Sequence, residues 1–503
     1  MAKWGCSFYS GNMKRMYILM GFCVATLLGA ADARPWALRN GQTLEAEFIE
    51  VQGSRVVVEN AEGGRAGIPL AILSPADQDF VCEQIDDDVA LDPLLDTPDL
   101  WTLSTAEVMS RGESLGLEWV DEDATALSQH PCLQLDGRRV WELLAYFKDG
   151  QASQIVASLY NRGDSEPLPQ AEFKSLLGSI QRDLTEWAGS RPSPIRESRG
   201  PVQTRLFARA WVRNPHQVLL QWSVSRDGTP EFIRLRLSPS RGGSRGGTAA
   251  AATAILGAST RPKAPILNSL SLRSRIQNKP NGDKLLPDVP MVDQGQKGYC
   301  AAAITERVLR YYGRDFDQHQ VAQIAGSTAQ GGTRSVDLVS AISRIAGTME
   351  LNFRKLVDLD IDRILRLIKD YNRAASKKKL PPFEHDQMID VGMMFQQMDP
   401  DTLQKVRTSN SARTQKFFTH IEEYIGKGVP LIWGVQLGLV DERPELPQAA
   451  GGHMRLIIGC NPRTREILYS DSWGSEHALK RMSLDDAWTI TTGLYVMLPR
   501  NIR

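Results

Sequence analysis

From residue 44 to residue 51 (LEAEFIEV) apolar and polar side chains alternate with a period of two. After a turn at Gly53 the run RVVVEN reads as a second strand. A turn at Glu62-Gly63-Gly64 leads into AGIPLAIL, and Ser74-Pro75-Ala76-Asp77 carries the N-cap chemistry of a short helix. Residues 34–84 therefore read as a small β-rich unit. The stretch 85–99 (IDDDVALDPLLDTPD) is acidic, proline-bearing and without periodicity, which predicts a solvated linker. Asp86, Asp87 and Asp88 lack the alternating oxygen ligands and the glycine of a calcium-binding loop.

Residues 100–240 mix both periods. Helical spacing covers 104–115 and 170–188, and strand-like runs occur in VWELLAYFKD, ASQIVASLYN, RLFARAWV and HQVLLQWSV. This predicts an α+β domain, whose function the pattern leaves open. His130 and His216 fall in proline-containing loops and are expected to be exposed structural histidines. Composition then changes: from Ser238 the chain reads SPSRGGSRGGTAAAATAILGASTRPKAP, and 241–285 is expected to be a flexible linker. In the last segment, 286–503, apolar residues at Ile304, Val308, Leu309 and Tyr312 recur at helical spacing until Gly313. Further along, FFTHIEEYIGKG has a helical pattern, while VPLIWGV, AGGHMRLIIGCN and EILYS read as strands.

Composition narrows the class. A chain of 503 residues, 42% hydrophobic and 23% charged, is a multidomain globular protein. Lysine plus arginine equals aspartate plus glutamate at 59 each, so no overall field attracts nucleic acid, and none is expected as a partner. At the N-terminus, Lys14 and Arg15 precede an apolar stretch over 16–30, with small residues at Ala31 and Ala33. Residues 1–33 are thus expected to be a secretory signal cut before Arg34. The exported product would have no stable membrane insertion; an uncleaved signal would instead anchor it. Of six cysteines, Cys6 and Cys23 belong to that segment. Cys82, Cys132, Cys300 and Cys460 lie far apart with no C-x-x-C pair, so neither a zinc site nor a disulfide framework is demanded. No metal or cofactor is expected.

One of those cysteines has the setting of a nucleophile. Cys300 opens the predicted helix in VPMVDQGQKGYCAAAITERVLRYYG, where unsatisfied amides and the helix dipole favour a thiolate. Gly295 and Gly298 would let the preceding loop bring amides close to a substrate carbonyl. Downstream, His453 follows Gly451-Gly452 at the start of one strand, and Asp471 ends the next. Adjacent antiparallel strands would set the histidine and the carboxylate side by side. Cys132 and Cys460 lack a helix-start context, and His319, His385, His420 and His477 lack the glycine-flanked strand setting.

This constellation, over about 289–499, resembles the papain-like cysteine peptidases. Within them it is most similar to the bacteriocin-leader-processing-like (C39-like) family. The resemblance implies an α+β papain-like domain with Cys300 as nucleophile, His453 as general base and acid, and Asp471 as orienter. It makes Gln294, six residues before the cysteine, the donor to the oxyanion. It also implies a peptide or protein substrate. The transporter segments that accompany leader peptidases are absent from this sequence, and 355–415, with lysines at 377–379 and a Met-rich stretch near Met393, reads as an insertion. Two other classes stay open: a transglutaminase-type acyl transferase, which uses the same residue order, and a catalytically inactive peptide- or wall-binding module. The N-terminal unit resembles the Sla-homology domain, on Arg34, Trp36, the strand over 45–48 and the ending from Ile68 onward. That resemblance implies an SH3-like β-barrel with an interaction role. Oligomeric state has no signature in the sequence.

Overall fold

The architecture is given by a computed structural model that describes residues 33–502 apart from 39–42, 53–54, 71–72, 86–88, 122, 163–167, 200–204, 226, 241–266, 295–298, 315–320, 322–334, 386–388, 445, 447 and 449. Almost all of the expected signal, the aspartates at 86–88, Gly295, Gly298 and His319 thus lie outside the described residues.

The first unit is an antiparallel meander, β1 (Arg34–Ala37), β2 (Thr43–Gln52), β3 (Arg55–Glu59) and β4 (Arg65–Pro69), followed by α1 (Pro75–Gln84). The helix starts at Ser74, whose hydroxyl accepts from Asp77 N and whose successor is proline, a favourable first helical residue. Trp36 fills the small core and donates its indole N–H to Ala46 O at 2.9 Å. The described strands do not close into the expected barrel. Among the described residues, an isolated bridge between Leu38 and Leu73 and the bond from Ser74 N to Ala37 O at 2.7 Å link the ends of the meander.

The second unit begins earlier than the pattern predicts. Within 85–99, β5 (Val89–Ala90) pairs in parallel with β8 (Leu133–Leu135), α2 (Asp92–Leu95) follows, and Leu91 and Leu94 are buried in the unit's core. The linker expectation is corrected there: two leucines among the acids suffice to dock the segment. Next come α3 (Thr105–Gly112), which opens with a Ser104/Glu107 capping box, β6 (Glu118–Asp121) and β7 (Thr125–Ser128). After β8 come β9 (Arg138–Arg139), β10 (Glu142–Lys148), β11 (Gln151–Asn161), α4 (Gln170–Ala188), β12 (Ser193–Arg199), β13 (Arg205–Arg213), β14 (His216–Val224) and β15 (Pro230–Pro239). Eight of these strands form one sheet, β12-β13-β14-β15-β11-β10-β7-β6, with α4 against it.

Both histidines are buried rather than exposed: His216 is the first residue of β14, inside the sheet, and His130 follows the end of β7. His216 Nδ1 accepts from Trp101 Nε1 at 3.0 Å, and His130 Nδ1 accepts from Cys132 N at 3.3 Å. Cys82, in α1, and Cys132 form a disulfide, a pairing their sequence separation of 50 did not announce. Beside it Arg139 binds Asp79 and Gln78 at 2.8 and 3.0 Å, so the first two units are fastened covalently and by side chains.

The third unit contains part of the stretch expected to be linker. α5 (Ser269–Arg273) buries Leu272, while β16 (Gln277–Asn278) and β17 (Lys284–Leu285) extend the main sheet through β20 (Gly451–Asn461). The other elements are α6 (Cys300–Tyr311), α7 (Ser335–Thr348), β18 (Leu351–Asp358), α8 (Ile361–Lys377), α9 (Val391–Gln397), α10 (Pro400–Thr408), α11 (Ser411–Ile425) and β19 (Leu431–Leu437). After β20 follow β21 (Glu466–Ser470), β22 (Lys480–Ser483), α12 (Leu484–Ile490) and β23 (Thr491–Pro499). The sheet runs β16-β17-β20-β19-β23-β18, with β21 and β22 added beside β20. Helices α6 and α11 pack on it.

Only the middle of 355–415 stands apart from this layer. Helices α8 to α10 gather Ile364, Ile368, Tyr371, Met394, Phe395 and Leu403 into a separate apolar cluster, whereas β18 and α11 belong to the main unit. The second and third units touch through α6 and the residues just before it. Tyr299 donates to Asn161 Oδ1 at 3.3 Å, Arg310 donates to the Tyr146 hydroxyl at 3.1 Å, and Met291 packs with Val120 and Leu127.

Candidate active site

Helix α6 opens with Ala301, Ala302, Ala303 and Ile304, and even its polar Thr305, Glu306 and Arg307 are buried. Tyr299 holds the N-cap position without a side-chain hydrogen bond to the first turn. The helix-start amides are thus left unsatisfied by a cap, at the end carrying the positive dipole. Cys300 is the first helical residue and is half-buried. Burial alone would raise its thiol. His453, through a hydrogen bond and its charge, together with the Met454 and Ala301 amides, outweighs burial and holds the thiol below its ordinary value.

His453 lies near the start of β20, paired across to Val435 of β19, with its side chain fully buried. Nε2 meets Asp471 Oδ1 at 3.1 Å. Nδ1 has no partner at full hydrogen-bond geometry, and it is the nitrogen left to interact with Cys300. A loose contact of this kind is ordinary in a ligand-free site. Burial pushes the imidazole down, but the Asp471 and Cys300 contacts together raise it above its usual value. The Trp473 ring stacks flat on the imidazole, with centroids 4.1 Å apart and planes at 4°. Gly474 makes the next turn at φ +83°, in the left-handed region that favours glycine.

Asp471 immediately follows β21 and is completely buried. Because Leu456 pairs with Ser470, the register sets Asp471 beside Arg455, and His453 lies two residues further on the same strand face. Arg455 Nε donates to Asp471 Oδ1 at 2.7 Å, and Lys480 Nζ lies 3.3 Å from Oδ2. Burial would raise this carboxyl; Arg455, His453 and Lys480 instead hold it well below the usual carboxylate range. Arg307, one helical stretch beyond Cys300, donates to Asp471 O and Ser470 Oγ, each at 2.7 Å, and to Pro290 O at 2.7 Å. It ties the cysteine's helix to the aspartate's strand. Burial pushes Arg307 down to about 10, against the pull of Asp471 and of Asp121 in β6.

Gln294 is buried against the same strand end. Its N donates to Ser472 O at 2.9 Å, and Ser472 Oγ donates to its Oε1 at 2.6 Å. With the carbonyl end of the amide occupied, the amino end is turned away from Ser472. The structure therefore gathers Cys300, His453 and Asp471, with Gln294 adjoining Asp471 through Ser472. Cys132 is disulfide-bonded and Cys460 is buried, its thiol pushed up to about 12 by burial and by Glu422.

Sequence reasoning missed Arg307, Arg455, Lys480, Glu442 and Ser472. A signal existed for one of them: Arg455 is a charge two residues after His453 in an apolar strand.

The profile of the Peptidase_C39 like family matches residues 376–496. This supports a C-terminal peptidase domain. The matched stretch contains His453 and Asp471, begins inside the segment read as an insertion, and does not reach Cys300 or Gln294. No curated protein matches the chain significantly.

Proposed function

We propose that the chain is an exported cysteine peptidase that hydrolyses peptide bonds with Cys300 as nucleophile, His453 as general base and acid, Asp471 as orienter and Gln294 as oxyanion donor. The observation that carries this reading is geometric: a thiol at a helix start and a buried imidazole whose far ring nitrogen lies 3.1 Å from a buried carboxylate, an arrangement that lowers the thiol and raises the imidazole. The thiolate would attack the substrate carbonyl, forming a carbon–sulfur bond. The oxyanion would be held by the Cys300 amide and the Gln294 amino group. His453 would give its proton to the leaving amine as the peptide bond breaks. Water, deprotonated by His453, would then split the thioester and restore the thiol.

Export is supported by two features. Residues 1–33 have the pattern of a secretory signal, and a disulfide such as Cys82–Cys132 belongs to oxidising compartments. Among the described residues no helix is long and apolar enough to cross a membrane.

The test is alkylation of the full chain by iodoacetamide across pH, with modification of Cys300 quantified by peptide mass. An activated pair gives an acidic plateau: the thiolate persists down through mildly acidic pH because its pKa is lowered, and the imidazolium persists upward because its pKa is raised. His453→Ala should remove that plateau. A wild-type Cys300 that reacts like a free thiol would overturn the enzymatic reading and leave a binding module.

A further inference from the structure

The buried charges around Asp471 exceed what a cysteine–histidine–aspartate set requires. Arg455, from β20, holds one carboxylate oxygen and Lys480, from β22, lies against the other. Both cations then meet a second anion, Glu442, in the connection between β19 and β20. Its Oε2 is 3.0 Å from Arg455 and 3.3 Å from Lys480. The Tyr469 hydroxyl, from β21, donates to the same oxygen at 2.5 Å. The side chains of Arg455, Lys480, Asp471 and Glu442 are all no more than 3% exposed. Water can therefore screen none of these charges appreciably, and each must be balanced by a neighbour.

We propose that Glu442 is a positioning residue for the cysteine peptidase: it anchors Arg455 and Lys480 and balances one of their charges, so that Asp471 can hold His453 as the imidazolium. This rests on the reading of the preceding section. With Glu442 in place, two carboxylates face two cations, and the Cys300–His453 pair is neutral in itself. Without its charge, two cations flank a single carboxylate, and the surplus positive charge sits beside the imidazole. Proton transfer from Cys300 to His453 is then disfavoured, because it would build a further cation there. Besides Glu442, the groups near the pair are Asp293, whose carboxylate lies by Gly474, and Arg307, Tyr469 and His477. Arg307 of α6 engages the Asp471 main chain, Tyr469 is a neutral donor, and His477 beside Trp473 is held towards its neutral form by burial and by Lys480.

The readout is the ratio of Cys300 alkylation at mildly acidic pH to that at alkaline pH, where the free thiolate reacts whatever the charge of His453. In Glu442→Gln, which keeps the size and the Tyr469 contact, this ratio should fall roughly tenfold, the equivalent of about one pKa unit. Glu442→Asp, which keeps the charge, should retain most of the plateau. Removing the surplus cation as well, in Glu442→Gln/Lys480→Met, should restore it. A role confined to packing would leave the ratio unmoved and make the double variant worse than either single one.

A wild-type plateau that survives Glu442→Gln overturns this proposal and leaves the peptidase reading intact. Absence of a plateau in the wild type overturns the peptidase reading itself. If Glu442→Gln does not fold, the charge-balanced double variant decides: loss of its plateau overturns the proposal.

Discussion

Two free thiols lie in the same unit, Cys300 at the start of α6 and Cys460 on β20, seven residues beyond His453 on the same strand. Burial raises both. At Cys460 nothing opposes it except Lys284, while Glu422 and Asp283 add to it, and the thiol rises to about 12. At Cys300 a histidine and two backbone amides reverse the sign. The residue type is identical and the sheet is shared. The difference is the end of a helix and one imidazole held by a buried carboxylate, so local charge and geometry, not cysteine itself, decide where chemistry can occur.

The comparison can be broken most directly at His453. In His453→Ala, alkylation of Cys300 at about pH 6 should slow by roughly a hundredfold, towards a thiol of ordinary pKa, while Cys460 stays unreactive. A next variant sharpens what sustains the pair. Arg455→Met leaves Asp471 and Glu442 sharing one cation fewer in a dry site, and urea unfolding should show a loss of about 3–5 kcal/mol. Opening the Cys82–Cys132 link, whose loop spans 50 residues, should cost about 2–4 kcal/mol in the N-terminal units. Cys300 alkylation should be unchanged, since the disulfide touches neither thiol. The smallest effect belongs to Cys460→Ala: a loss of about 0.5–2 kcal/mol in thermal or urea unfolding, with the Cys300 pH profile superimposable on the wild type. A displaced profile would mean that the two thiols are not independent.

Much of the local structure is legible in the chain. The pattern marks α4 at its observed bounds, and the runs assigned to strands in the second unit correspond to β10, β11, β13 and β14. It places Cys300 at a helix start and His453 near a strand start, both of which depend on neighbours within a few residues. Its errors share a cause. Leu91, Leu94 and Leu272 carry a linker pattern because their neighbours are acidic or small, yet each is buried by elements distant in sequence. The prolines beside His130 and His216 suggest exposed turns, but burial depends on what packs over them in the fold, and His216 opens β14 inside the sheet.

The chain encodes a set of local choices: where strands alternate, where helices are capped, and the order in which cysteine, histidine and aspartate arrive. These follow from backbone sterics and side-chain period, which act over a few residues. Packing brings Cys82 to Cys132, lets Arg307 tie α6 to Asp471, and places Arg455 and Lys480 between the Asp471 and Glu442 carboxylates. The first is a covalent link across 50 residues and the second spans 164; the ionic contacts hold because buried charge has no water to turn to. A desolvated ion must find its counterion wherever the packed fold places it, and no pattern along the chain carries that information.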